Sequence, residues 1–165
     1  MPDLLVTYME MTAPPAAIVA PPATDVTVDC ERLSARDYLA LYRAVGDAVQ
    51  WDQRLRMTAV ELERLLADPA SHVHVLRRQG QAIGLCELFG IGDADIELVN
   101  FGLIPAAQGQ GLGSFLLNHA LRRSWLSSPR RIWLHTDTND HPDAVPVYER
   151  AGFRPYLRRM ESFAD

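Results

Sequence analysis

Seven residues carry the densest chemical signal in this chain: Gln108-Gly109-Gln110-Gly111-Leu112-Gly113-Ser114. Three glycines alternate where an apolar repeat begins, Leu112, Leu116 and Ala120 alongside Leu117 and Leu121. Spacings of four predict a helix with an apolar face over 112–124. The first turn of a helix leaves amide N–H groups unpaired and carries partial positive charge. Glycine lets a ligand approach the backbone with no Cβ in the way. The product is an anion cradle, suited to a phosphate or pyrophosphate. A Walker A loop needs Gly-Lys-Ser/Thr, and the chain contains no lysine. A dinucleotide fingerprint is nearer, with Gly109, Gly111 and Ser114 at its glycine positions and Asp137 ending a later strand. It should follow its strand directly, and here Pro105 to Gln108 intervene. The plain alternative is a flexible turn without a ligand.

Other chemistry-bearing residues read less sharply. His135-Thr136-Asp137-Thr138-Asn139-Asp140-His141 holds metal-ligating types, but the spacing is not a standard ligand motif and no metal is expected. Cys30 and Cys86 give neither a disulfide framework nor a zinc pattern; Cys86, in an apolar run, reads as a small buried hydrophobe. Trp51, Asp52 and Arg54 lie on a connector and suit a substrate wall, with packing of Trp51 beneath the loop as the other reading.

The elements that position these residues follow in order. Leu4 to Met9 is a short strand, and 13–24, with Pro14, Pro15, Pro21 and Pro22 among alanines, is an extended, semi-rigid connector. That first strand is an addition, to pair at a sheet edge or with a second copy, which leaves a homodimer open. Val26 to Glu31 alternates as a strand. Ser34 caps a helix running to Val45, with Gly46 past its end, and Thr58 with Glu61 forms a capping box for a second. His72–Arg78 and Ala82–Phe89 form a hairpin around Gln79-Gly80. Ile96 to Ile104 is a buried strand that Pro105 stops. Arg131–Thr136 is another strand, 143–151 a helix stopped by Gly152, and Arg154–Phe163 a last strand. The pattern is α/β or α+β, a mixed sheet with helices on both faces.

These residues resemble the GNAT N-acetyltransferase superfamily. Gln108-x-x-Gly111-x-Gly113 is similar to its acetyl-CoA signature, Leu103-Ile104-Pro105 to the end of its fourth strand, and Tyr148-Glu149-Arg150-Ala151-Gly152-Phe153 to its late tyrosine motif. The resemblance covers roughly 72–160. It implies a three-layer fold with a central, mostly antiparallel mixed sheet, one domain over 1–165, and acetyl transfer from acetyl-CoA to a small-molecule amine without metal. It places the cofactor on Gln108, Gly109, Gln110, Gly111, Leu112, Gly113 and Ser114, with Gln110 where the family often carries Arg or Lys. Phe101 then supplies the backbone N–H that polarises the thioester carbonyl, and Leu103 pairs with the pantetheine arm. Glu97, eleven positions before Gln108, becomes the general base, with a water chain as the alternative. Tyr148 becomes the acid or hydrogen-bond donor to the departing sulfur and also contacts the cofactor. The family's cofactor-contacting asparagine is His141 here, with Asn139 two residues earlier, so either takes that contact. The two early helices put the acceptor near Trp51, Asp52 and Arg54. Other readings are an acyltransferase using a longer acyl-CoA and a CoA-binding sensor without turnover.

Composition bounds the classes. The 165 residues suit one domain with a sizeable core, at 48 % hydrophobic and 22 % charged. A net charge of −5 disfavours a nucleic-acid binder that works by neutralising phosphates. Arg32 is the first basic residue and Asp3 and Glu10 interrupt the start, so no signal peptide reads there. No apolar run approaches the ~18 residues of a membrane span. A cytoplasmic, bacterial-like enzyme is the expectation.

Overall fold

The computed structural model describes residues 3–162. Its strands are β1 (Asp3–Met11), β2 (Val26–Glu31), β3 (Ser71–Arg78), β4 (Gln81–Phe89), β5 (Asp95–Leu103), β6 (Arg131–Asp137) and β7 (Arg154–Ser162). Its helices are α1 (Ala35–Gly46), α2 (Ala59–Ala67), α3 (Leu112–Trp125) and α4 (Ala144–Ala151). Phe163, expected in the last strand, lies outside the described residues. No helix among the described residues is long and apolar enough to cross a membrane.

All seven strands form one sheet in the order β2-β3-β4-β5-β6-β1-β7, antiparallel except for the β5–β6 pair. Alternation along the strands splits the core into two layers. Val28, Leu76, Cys86, Leu88, Ile96 and Leu134 face α3 and α4, and Leu116, Leu117 and Leu121 from α3 pack on them. Val73, Val75 and Leu85 face the other way, against Tyr38, Tyr42 and Val45 of α1 and Leu62 and Leu66 of α2. The expected three-layer α/β arrangement is thus present.

Local chemistry sets the boundaries. Ser34 Oγ accepts the Asp37 N–H at 3.1 Å, and Thr58 with Glu61 closes the expected capping box at 3.1 and 2.9 Å. Gln79 and Gly80 both adopt positive φ, which a tight hairpin of this twist requires. Gly46 differs from expectation: it is the last residue of α1, not past its end. A Cβ there would meet Trp51 at 2.6 Å, so its small size, not a turn, explains it.

The first strand also differs from expectation. β1 is not an edge strand but lies one strand in, hydrogen-bonded on both sides, with Met9 opposite Leu134 of β6 and Val6 opposite Arg159 of β7. Val6, Met9 and Met11 are buried, which accounts for an interior place. β7, exposed along nearly its whole length, takes the edge instead.

Candidate active site

β5 and β6 run parallel but pair only from Asp95–Arg131 to Glu97–Trp133. Beyond that neck β5 continues to Leu103 and β6 to Asp137 with no ladder between them. A bulge on β5 helps them part, because Glu87 opposes Asn100 while Leu88 opposes Leu98, leaving Val99 unmatched. The result is a cleft through the sheet whose β5 wall carries backbone groups free to pair with a ligand. Phe101 and Leu103 lie on that stretch of β5.

The glycine loop sits on the α3 side of this cleft. Gly109 and Gly111 have φ of +76° and +79°, and Gly111 caps α3 with no side-chain hydrogen bond. The first helical bond is Phe115 N–H to Gly111 C=O at 3.4 Å, so the amides of Leu112, Gly113 and Ser114 stand ahead of the ladder. Gln108 ties the loop to β5 by donating to the Leu103 carbonyl at 3.3 Å, and Gln110 donates to that of Ala106 at 3.1 Å. Arg78 Nη1 donates to the Gln110 side chain at 3.2 Å, bringing to this loop a cation that the loop itself lacks. These features fit a phosphate-bearing ligand: unpaired amides, backbone without Cβ, a helix N-terminus and a nearby guanidinium.

Tyr148 of α4 stands at the same cleft. Its ring lies 5.8 Å from Phe101 and 5.9 Å from Phe153. Burial, then the nearby Asp140 and Cys86, pushes its phenol well above the ordinary value, so it stays protonated. Among the described residues its hydroxyl has no hydrogen-bond partner. Asn139 and His141 are both exposed on the loop before α4. The Asn139 N–H donates to Asp137 at 2.8 Å, and His141 Nδ1 accepts from the Asp143 N–H at 3.1 Å. The imidazole is therefore engaged locally, while no hydrogen bond engages the Asn139 amide group among the described residues.

Glu97 lies at the neck on the opposite face, since its neighbours Ile96 and Leu98 are in the α3-side core. Its carboxylate is 3.9 Å from His135 Nε2. Burial raises its pKa above the usual carboxylate range, against the opposing pull of His135 and Arg54. Tyr8 of β1 and Trp133 of β6 flank His135 at ring distances of 5.7 and 6.3 Å.

The residues between α1 and α2 divide. Arg54 reaches this face, but its Nη2 donates to Glu87 at 2.8 Å and its Nε to the Tyr38 hydroxyl at 3.3 Å. Asp52 ion-pairs with Arg56 at 2.5 Å. Trp51 packs on Tyr42 at 5.3 Å and against Gly46 and Gly102. Sequence reasoning missed the network beneath Arg54. Glu87 is 1 % exposed and also accepts from Tyr38 and, at 3.0 Å, from Asn100. The available signal was a lone carboxylate in the apolar run of β4.

The Pro/Ala connector is strapped across α3. Asn118 accepts the Val19 N–H at 3.0 Å and donates to the Ala17 carbonyl at 2.8 Å. Between connector, α3 and α4 lies a cavity of about 790 Å³, lined by Ser114, Asn118, Val147 and Arg150 among others. It adjoins the cradle helix yet shares only Ser114 with the expected site.

The sequence profile of the acetyltransferase (GNAT) family matches residues 32–153. The chain belongs to this family. It is 29 % identical over 101 residues to a candidate ribosomal protein bS18-alanine N-acetyltransferase of Bacillus subtilis (strain 168), covering 61 % of this chain and 66 % of that one. It is 26 % identical over 166 residues to a mycothiol acetyltransferase of Jonesia denitrificans, covering 95 % and 52 %. The chain thus spans between half and two thirds of the length of these curated relatives. A GCN5-related N-acetyltransferase from Sphaerobacter thermophilus superposes with a TM-score of 0.71 at 21 % identity, over 97 % of this chain and 51 % of that one. At that identity the superposition shows the GNAT fold. Membership supports an acyltransferase and leaves the acceptor to be argued from the site.

Proposed function

We propose that this GNAT member transfers an acetyl group from acetyl-CoA directly to the amine of a small molecule. The observation that carries it is the parting of β5 and β6 just past Glu97. It joins an anion cradle on one face to a raised-pKa carboxylate on the other, with Tyr148 beside the opening. The amides of Leu112, Gly113 and Ser114 hold the pyrophosphate, and Arg78 adds charge. The free edge of β5 at Phe101 and Leu103 pairs with the pantetheine arm, and the Phe101 N–H polarises the thioester carbonyl. Asn139, whose amide is open, takes the further cofactor contact.

Glu97, aided by His135, accepts one proton of the incoming ammonium; the amine then bonds to the carbonyl carbon, the C–S bond breaks, and the second proton that the nitrogen sheds on becoming an amide balances the one taken up by the departing thiolate. Tyr148 donates a hydrogen bond or a proton to the departing thiolate. Phenol and thiol differ by roughly 1.5 units in ordinary pKa, so hydrogen bonding is the easier of the two. The acceptor wall runs from Arg54 past Glu97 to His135 and Tyr8, and a cationic amine suits the Glu97 carboxylate.

The test is release of free CoA thiol from acetyl-CoA with a panel of small amines and a peptide bearing N-terminal alanine. Thiol release with at least one small amine is expected. Tight CoA binding with no thiol release across the panel would favour a sensor, and preference for a longer acyl-CoA would revise the donor.

A further inference from the structure

On the α3 face, two strands from the cleft, the core turns polar. Val26, Val28 and Cys30 share one face of β2, and Leu76, His74 and His72 share the matching face of β3. Cys30 stands directly opposite His74 in the register. One ligand atom from each of Cys30, His72 and His74 lies within 4.8 Å of the others. His119 approaches from α3, its ring 6.3 Å from that of His74.

His74 makes this more than a packed corner. It is 0 % exposed, and neither ring nitrogen has a hydrogen-bond partner among the described residues. The Nδ1 atoms of His72 and His119 are likewise buried and unpaired. An unpaired buried polar group costs about 1–3 kcal/mol, and several sharing one place call for a common partner.

We infer that Cys30, His72 and His74 form a binding site for a divalent transition metal, zinc by the chemistry of its donors, with His119 beside the fourth position. One thiolate and two imidazoles are a nitrogen–sulfur set of the kind zinc takes. Ligand atoms around tetrahedral zinc stand roughly 3.3–3.6 Å apart, so closing the site needs a shift of about an ångström. Cys30 supplies it most readily, being exposed on the edge strand β2. Arg32 and Arg123 lie near enough to oppose the cation, and Asp29 near His119 supplies the opposite charge. The metal would bind β2 to β3 under α3, about 10 Å from the cleft at two strand spacings, and takes no part in acetyl transfer.

The full chain, purified without chelator, is to be titrated with zinc against a chromophoric chelator, and separately with cobalt. One equivalent of tightly held zinc is expected, with a thiolate-to-cobalt charge-transfer band. Cys30→Ser and His72→Ala change exposed or half-buried residues and so retain the fold, checked by far-UV dichroism. Each should weaken zinc by more than about 100-fold, beyond the 10–100-fold loss from an outer-shell partner. Cys30→Ser should also abolish the cobalt band. No binding by the wild-type chain, or binding unchanged in both variants, overturns the site.

Discussion

Tyr148→Phe removes a single oxygen from the proposed chemistry. The ring keeps its packing on Phe101 and Phe153, so fold and CoA affinity should persist. Turnover should fall by about 10–10⁴-fold, the range between a lost hydrogen bond and a lost general acid, with acceptor KM little changed. Steady-state kinetics under chemistry-limited conditions check this; wild-type turnover would leave Tyr148 a packing residue. Glu97 works as a base only when ionised, so the rate should fall as pH drops through its raised pKa. Glu97→Gln should lower turnover and erase that acidic limb. The same shift has a stability consequence. Because the folded state holds the Glu97 proton more tightly than the unfolded chain, its stabilising effect is present at low pH and is lost as pH rises through the folded pKa. Glu97→Gln should therefore be at least as stable as wild type at neutral pH, by urea denaturation. The ion pairs of Arg54 and of Asp52 differ sharply. Glu87→Ala strands the mostly buried Arg54 and should cost about 3–5 kcal/mol. Asp52→Ala breaks an exposed pair and should cost no more than about 1 kcal/mol.

At the scale of elements, the cradle was legible because it is local: three glycines, then a four-residue apolar repeat, define loop and helix within seventeen positions. The hairpin, both helix caps and the parting strands' own extents were legible for the same reason. The Arg54–Glu87–Tyr38–Asn100 network was not, because its members come from a turn, two strands and α1 and meet only through sheet register. The Cys30–His72–His74 group was hidden likewise, its cysteine and histidines separated by both early helices. α3 owes its place to Leu116, Leu117 and Leu121, all fully buried. Leu116→Ala should cost about 2–5 kcal/mol in urea denaturation, since the site between α3 and the sheet closes only partly.

At the scale of the molecule, the sheet is completed by its first strand. β1 was visible as a strand in sequence, but its partners lie at 132–137 and 154–162, too distant for any local pattern to report. Placing it between β6 and β7 sets Tyr8 beside His135 and carries the connector back over α3 towards Gly111. Removing residues 1–12 would uncover an edge on each neighbour and take away Val6, Met9 and Met11. Each buried apolar side chain contributes about 1.5–3 kcal/mol, a sum comparable to much of a domain's 5–15 kcal/mol. The truncated chain should lose its cooperative unfolding transition by circular dichroism. A cooperative transition at the wild-type midpoint would show β1 to be dispensable.

In the proposed function acetyl-CoA sits in the cradle between β5 and α3. Calorimetric titration of acetyl-CoA into wild type and Gly113→Glu tests it most directly. Gly113 has helical backbone, and a Cβ there meets Phe101 and Leu103 at 3.6 and 3.7 Å, ordinary contact, so the variant should fold. The rest of its side chain would bring bulk and negative charge into the space between α3 and β5 proposed for the cofactor. Wild type should bind at one site, and the folded variant should lose at least about tenfold in affinity, 1.4 kcal/mol. Equal affinity in the two proteins would contradict it.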